Sequence, residues 1–66
     1  MEVQRKSNDI LKKLRGKRST GEVAAALGIS ESAYIKYERG ERDPREPIKR
    51  KIAEYYNRSI AFIFYS

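Results

Sequence analysis

The amino-acid sequence predicts an all-α protein, a compact bundle of five short helices. Apolar residues recur three and four positions apart in several segments, which is the spacing of one face of a helix. Residues that begin helices, such as serine and proline, alternate along the chain with residues that end them, such as glycine and asparagine. No segment shows the apolar–polar alternation of a half-buried strand. We therefore expect residues 1–66 to form one helical domain.

The first helix is predicted by three apolar residues that share one helix face: Ile10, Leu11 and Leu14. Ser7 or Asn8 can cap its amino end, and Gly16 is expected to end it. Residues 1–6 carry no clear signal, so they form either a frayed, flexible arm or an early extension of this helix.

The second helix begins at an S-x-x-E pattern, in which Ser19 and Glu22 satisfy free amides of the first turn. Val23 and Leu27, four residues apart, give this helix one apolar stripe. Gly28 ends it, because glycine adopts the positive φ of a left-handed helix stop without strain.

A third helix follows after a three-residue turn, with Ser30 as its cap. Its inner face is formed by three residues that point toward the second helix: Ala33, Tyr34 and Tyr37. Two short helices joined by a glycine turn make a helix-turn-helix, the unit that places its second helix in the major groove of DNA.

A loop of charge, glycine and proline runs from Arg39 to Pro47, and Pro47 suits the first turn of a fourth helix. The apolar stripe of that helix consists of Ile48, Ile52, Tyr55 and Tyr56. Asn57 can end it in the left-handed conformation, and Ser59 can cap a last helix from Ile60 to Tyr65.

The expected core collects apolar side chains from all five helices. Its large members are Leu11, Leu14, Val23, Leu27, Ile29, Tyr34, Tyr37, Ile48, Ile52, Ile60, Ile63 and Phe64, with Ala24 and Ala53 at close helix crossings.

Charge and composition narrow the range of partners. The chain has 15 Lys and Arg against 9 Asp and Glu, a net charge of +6, which favours a polyanion. It has no cysteine and no histidine, which excludes disulfides and the usual zinc sites. We also expect no metal, no cofactor and no small-molecule ligand. No run can span a membrane and no signal-peptide core is evident, which predicts a cytoplasmic, nucleoid-associated protein without a membrane partner.

The exposed face of the third helix is expected to read bases. The candidate residues are Glu31, Ser32, Ala33, Ile35 and Lys36. Lys36 can donate to guanine O6 and N7, and Ala33 or Ile35 can contact a thymine methyl group. Glu31 has two interpretations: it accepts from cytosine N4, or it only favours the helix dipole.

Independent positions of the helix-turn-helix agree with one family. The small Ala24 stands where the two helices cross, and the strongest match is the motif L-G-I-S-E-S-x-x-x-x-Y-E-R-G from Leu27 to Gly40. Over roughly Leu11 to Phe64, the chain resembles the lambda-repressor-like, Xre-type family of bacterial and phage regulators. The resemblance implies a lambda-repressor-like DNA-binding fold and an ion pair between Arg15 and Glu38.

Phosphate contacts are expected on both sides of the third helix. The candidates are Lys17, Arg18 and Thr20 at the start of the second helix, and Arg39, Arg42 and Arg45 in the loop. The chain departs from the family at Thr20, where a glutamine is usual, and at Gly21, which is unusual inside a helix. Arg18 also replaces a usual apolar residue, so the core is expected to lose one contact there.

The last helix departs from the family as well. Positions that are usually polar or acidic hold Ala61 and Phe62 here, so the helix is apolar on nearly every side. Because exposed apolar patches mark interfaces, we expect a homodimer joined through Phe62 and Tyr65, unless these aromatic side chains fold back as a coiled tail. Two-fold symmetry would match an inverted-repeat operator.

These observations predict a sequence-specific regulator of double-stranded DNA, most simply a repressor. One alternative is an antitoxin-type module that covers a partner toxin, with DNA binding secondary. Another is nonspecific DNA or RNA binding by charge alone. An enzyme is not expected, because the chain lacks paired carboxylates, a catalytic cysteine or histidine, and a phosphate-cradling glycine loop.

Overall fold

The computed structural model describes residues 6–65, with side chains from residue 9 onward. Within that range the chain forms five α-helices and no strand, which confirms the predicted fold class. The helices are α1 (Lys6–Arg15), α2 (Thr20–Leu27), α3 (Glu31–Arg39), α4 (Glu46–Tyr56) and α5 (Ile60–Phe64). None of these helices is long and apolar enough to cross a membrane.

Three serines begin helices in the way that the sequence predicts. The hydroxyl oxygens of Ser19, Ser30 and Ser59 each accept a hydrogen bond from the amide three residues later, over 3.0–3.1 Å. All three serines have extended backbone, as helix caps do. The caps of α2, α3 and α5 are therefore confirmed.

Left-handed residues end the helices on either side of the turn and at the end of α4. Gly28 has a φ of 75°, and its amide and that of Ile29 both donate back to the last turn of α2. Asn57 takes the same conformation with a φ of 58° and ends α4. Asparagine tolerates this region better than other residues with side chains, so the sequence signal was reliable.

The beginning of α1 differs from the prediction. Ser7 and Asn8 lie inside the helix, which already includes Lys6, so neither residue caps it. Serine and asparagine each cost less than about 0.7 kcal/mol relative to alanine inside a helix, so the helix includes them at little cost. The remainder of the predicted arm, residues 1–5, lies outside the described range. The last helix ends at Phe64, one residue earlier than expected.

Among the residues whose side chains the structure describes, ten buried residues form the hydrophobic core. They are Leu11, Val23, Ala24, Leu27, Tyr34, Tyr37, Ile52, Ala53, Tyr56 and Ile63. Nine of these were predicted, and five other predicted members are half-buried around them: Leu14, Ile29, Ile48, Ile60 and Phe64. Tyr56 is the buried residue that the prediction missed.

The inner side of α3, which carries Tyr34, Tyr37 and Glu38, packs against the rest of the protein. The α3 helix packs against both α2 and α1, and α4 packs against α2 and α5. The inner side of α3 is completely closed, since Tyr34 is 0% exposed and Glu38 is 3% exposed. Its other side remains open to solvent.

Candidate nucleic-acid interface

The open face of α3 carries the residues that the sequence proposes as base readers. Glu31, Ser32 and Lys36 are exposed, whereas Ala33 and Ile35 are half-buried. The exposed polar side chains begin at the amino end of the helix, which is the end that reaches base edges first in helix-turn-helix proteins. The structure thus brings three polar candidates to one accessible surface and gives the two apolar ones a partial contact with the protein.

Arg15 ties α1 to the buried side of α3. Its Nε donates to Glu38 Oε2 over 2.6 Å and its Nη2 donates to Glu38 Oε1 over 3.2 Å. The side chain of Glu38 is 4% exposed and that of Arg15 is 23% exposed. The hydrogen bond with Glu38 raises the pKa of Arg15, against the opposing effect of burial. This bidentate geometry, with two N–H groups bound to two carboxylate oxygens, is the strong form of an arginine–carboxylate pair.

Two buried tyrosines join α3 to α4. The hydroxyl groups of Tyr34 and Tyr56 share a hydrogen bond of 2.7 Å. Burial raises the pKa of both residues, and for Tyr34 the hydrogen bond with Tyr56 adds to the effect. The spacing of Tyr56 predicts its place on the apolar stripe of α4. Only the tertiary structure shows that its hydroxyl group has a hydrogen-bond partner in the core, the hydroxyl group of Tyr34.

The first residues of α2 and α3 are also linked. The Thr20 hydroxyl donates to Glu31 Oε2 over 2.7 Å. An ideal Cβ at Gly21 would lie 3.4 Å from Glu31 Oε1, an ordinary van der Waals distance, so the carboxylate lies against the α2 backbone at this position. Glycine costs about 1 kcal/mol inside a helix relative to alanine, and the structure does not require it at this position. The sequence contains one signal for the hydrogen bond between Thr20 and Glu31, because each of these residues directly follows the serine cap of its helix.

Arg18 lies over aromatic rings. Its guanidinium carbon is 5.3 Å from the ring centre of Tyr55 and 5.8 Å from that of Tyr56, and Nη1 donates to the Leu14 carbonyl over 3.2 Å. Arg18 is exposed, so the position where an apolar core contact was expected to be lost makes a cation–π contact with these two rings instead. Lys17, beside it, is exposed.

The loop between α3 and α4 carries three more basic candidates. Arg39, at the end of α3, pairs with Glu41 over 3.1 Å, and both side chains are about half exposed or more. Arg42 and Arg45 are exposed, and Arg45 occupies the position just before α4. These residues directly follow α3 in the sequence, so they are candidates for contacts with the DNA backbone beside that helix.

The carboxyl-terminal aromatic residues form a second notable surface. Phe62 is 47% exposed and Tyr65 is 62% exposed. Lys49, itself only 7% exposed, donates to the Tyr65 hydroxyl over 3.0 Å, and its ammonium group lies 3.3 Å from Asp43. The hydrogen bond with Tyr65 and the pairing with Asp43 raise the pKa of Lys49. No pattern in the sequence predicts that this lysine is buried.

Two helices joined at Gly28 form the motif, and the second helix packs one side against the core and exposes its other side to solvent. This arrangement defines a DNA-binding helix-turn-helix protein. A helix-turn-helix family model matches residues 11–63. The chain belongs to this family, the lambda-repressor-like, Xre-type DNA-binding transcriptional regulators. Comparisons with curated proteins and with solved structures gave no match.

Proposed function

We propose that this protein is a repressor that binds an inverted-repeat operator as a homodimer, with α3 of each copy in the major groove. One observation carries the proposal: the inner face of α3 is locked by Tyr34, Tyr37 and Glu38, while Ser32 and Lys36 remain exposed. A helix held rigidly on one side presents its other side at a fixed angle, which base-specific hydrogen bonds require.

The chemistry of the exposed face suggests what each side chain reads. Lys36 donates to guanine O6 and N7, and Ser32 can donate or accept. Ala33 and Ile35 are half-buried, and their accessible methyl groups suit the methyl group of thymine. Glu31 is treated separately below, because its carboxylate already has a partner within the protein.

Phosphate anchoring is assigned to the basic residues on both sides of α3. Lys17, Arg42 and Arg45 are exposed, and Arg39 keeps guanidinium N–H groups beyond the one directed at Glu41. Arg18 directs one N–H group at Leu14 and retains the others for a phosphate. Contacts of this kind position the protein and carry no sequence information.

Homodimer formation is proposed through Phe62 and Tyr65. Both side chains are exposed although they are apolar, and exposed apolar patches mark interaction sites. Lys49 already holds the Tyr65 hydroxyl, so part of the surface is ordered before a second copy arrives. A two-fold axis there would set the two α3 helices about one turn of DNA apart, roughly 34–36 Å.

The DNA-binding part of the proposal is tested by selecting bound sequences from a random duplex pool. The selected operator should bind at least about 10³-fold more tightly than a scrambled duplex in the same buffer. It should also contain two related half-sites in opposite orientation. Equal affinity for both duplexes would mean that binding rests on charge alone.

The dimer is tested by analytical ultracentrifugation of the protein at tens of micromolar. Wild type should sediment as a dimer, and Phe62→Asp should sediment as a monomer with unchanged helical content. Ala25→Asp places the same charge on an exposed position of α2 and should remain dimeric. A monomeric wild type contradicts the homodimer, and recovery of a stoichiometric second protein from cells would favour the antitoxin-type alternative.

A further inference from the structure

The amino ends of α2 and α3 meet at an acidic side chain. Glu31 is the first residue of α3, and Thr20, whose hydroxyl donates to it over 2.7 Å, is the first residue of α2. The glutamate is nevertheless exposed on the face proposed to meet DNA. An acidic group at that place repels the phosphate backbone of every duplex, so its presence there needs a reason.

The hydrogen bond also restricts what Thr20 can do. A threonine hydroxyl has one proton, so a Thr20 that donates to Glu31 cannot simultaneously donate to a phosphate. The hydrogen bond favours one orientation of the carboxylate, in which Oε1 lies against the α2 backbone beside Gly21. A carboxylate has about four acceptor positions, so one bond from Thr20 leaves capacity for a second donor.

We propose, building on the DNA-binding function above, that Thr20 positions Glu31 to select a cytosine in each half-site. In the major groove cytosine presents the N4 amino group, which is a hydrogen-bond donor, whereas guanine presents only acceptors and thymine presents an acceptor and a methyl group. Adenine presents an amino donor directly beside the N7 acceptor. A carboxylate held by Thr20 accepts from the cytosine amino group and is repelled by the acceptors of guanine and thymine. At adenine the attraction of the amino group is opposed by the neighbouring N7 acceptor, so cytosine is preferred. Glu31 therefore lowers affinity for all duplexes and regains it only at the matching base pair, which is discrimination by exclusion.

The test uses four duplexes that differ only at the base pair facing the start of α3 in the selected operator. Wild type should prefer cytosine by about tenfold, the lower part of the range for a specific base contact. Glu31→Gln should move the preference toward adenine, which a glutamine amide matches, and should bind the mismatched duplexes more tightly. Glu54→Gln, which removes the same charge from an exposed position of α4, should leave the preference at cytosine.

Substitutions at Thr20 separate positioning from phosphate contact. Thr20→Val keeps the shape and removes the hydroxyl, so the cytosine preference should weaken while affinity for the mismatched duplexes changes little. Thr20→Ser restores the hydroxyl and should restore the preference. Helical content measured by circular dichroism should be the same for all variants, since both positions lie at helix ends.

Three outcomes would overturn the inference, and they differ in what else they affect. If Glu31→Gln and wild type select the same base at every position, the carboxylate does not read DNA. If Thr20→Val weakens binding to all four duplexes equally, its hydroxyl contacts phosphate instead. In both cases sequence-specific binding by the wild type survives, whereas a wild type without preference for any duplex removes the proposed function as well.

Discussion

Removal of the Arg15 guanidinium should destabilise the protein strongly, because it leaves an acidic group buried without its partner. Glu38 is 3% exposed, and both of its carboxylate oxygens accept hydrogen bonds from Arg15, over 2.6 and 3.2 Å. Arg15 also donates to the Arg18 carbonyl over 2.8 Å, so it joins α1, the following turn and α3. Arg15→Met keeps most of the aliphatic stem and removes every donor.

The expected magnitude follows from the burial of the two partners. Deleting one member of a buried ion pair typically costs about 3–5 kcal/mol of unfolding free energy. Because Arg15 retains 23% exposure, water can reach the pair, and we expect a smaller loss of about 2–3 kcal/mol. In a domain of this size each kcal/mol lowers Tm by about 4–8 °C, so Tm should fall by roughly 10–20 °C.

Thermal unfolding followed by circular dichroism at neutral pH measures this loss. Glu38→Gln removes the buried charge, so it should cost less than Arg15→Met, and the double variant should resemble Glu38→Gln. Lys13→Met removes a positive charge from an exposed position of α1 and serves as the control. If Arg15→Met unfolds within about 0.5 kcal/mol of Lys13→Met, the ion pair does not stabilise the fold.

Three further predictions concern DNA binding and pH. Lys36→Ala should cost about 1–3 kcal/mol on the selected operator and relax preference at one base pair, measured by titration against single-base variants; a uniform loss would reassign Lys36 to phosphate. Arg45→Ala should weaken binding to all duplexes alike and reduce the slope of log K against log salt by about one, and an unchanged slope would contradict a phosphate contact. Burial raises the pKa of Tyr34 and of Tyr56, so the unfolded chain releases protons above about pH 10 that the native state retains. The unfolding free energy should therefore fall as pH rises above about 10, and Tyr34→Phe should flatten this fall in denaturant titrations.

Much of the fold could be predicted because helix ends are decided by neighbouring residues. Ser19, Ser30 and Ser59 each bond an amide three residues away, and Gly28 and Asn57 need only their own backbone preference. The same local rules failed at the start of α1. Ser7 and Asn8 are cap residues by type, but both are also tolerated inside a helix at little cost, so residue type alone does not locate the first turn of α1.

In the candidate site, too, the features decided by neighbouring residues could be predicted and those decided by packing could not. Spacing alone indicates that Ser32 and Lys36 point away from the side of α3 on which Tyr34 and Tyr37 lie, since a helix has a fixed period. It cannot indicate that Thr20 donates to Glu31, that Arg18 covers two tyrosine rings, or that Lys49 is buried beside Tyr65. Each of these contacts joins residues that are 11–38 positions apart in the sequence. They therefore depend on how the helices pack against one another.

The sequence by itself therefore determined the five helices, the glycine turn and the face of α3 that remains open. Only the tertiary structure decided which charged side chains on that face are already engaged, because an ion pair or hydrogen bond exists only when packing brings both groups within about 3 Å. For this protein the difference matters most at Glu31, whose carboxylate accepts a hydrogen bond from Thr20 on the neighbouring helix.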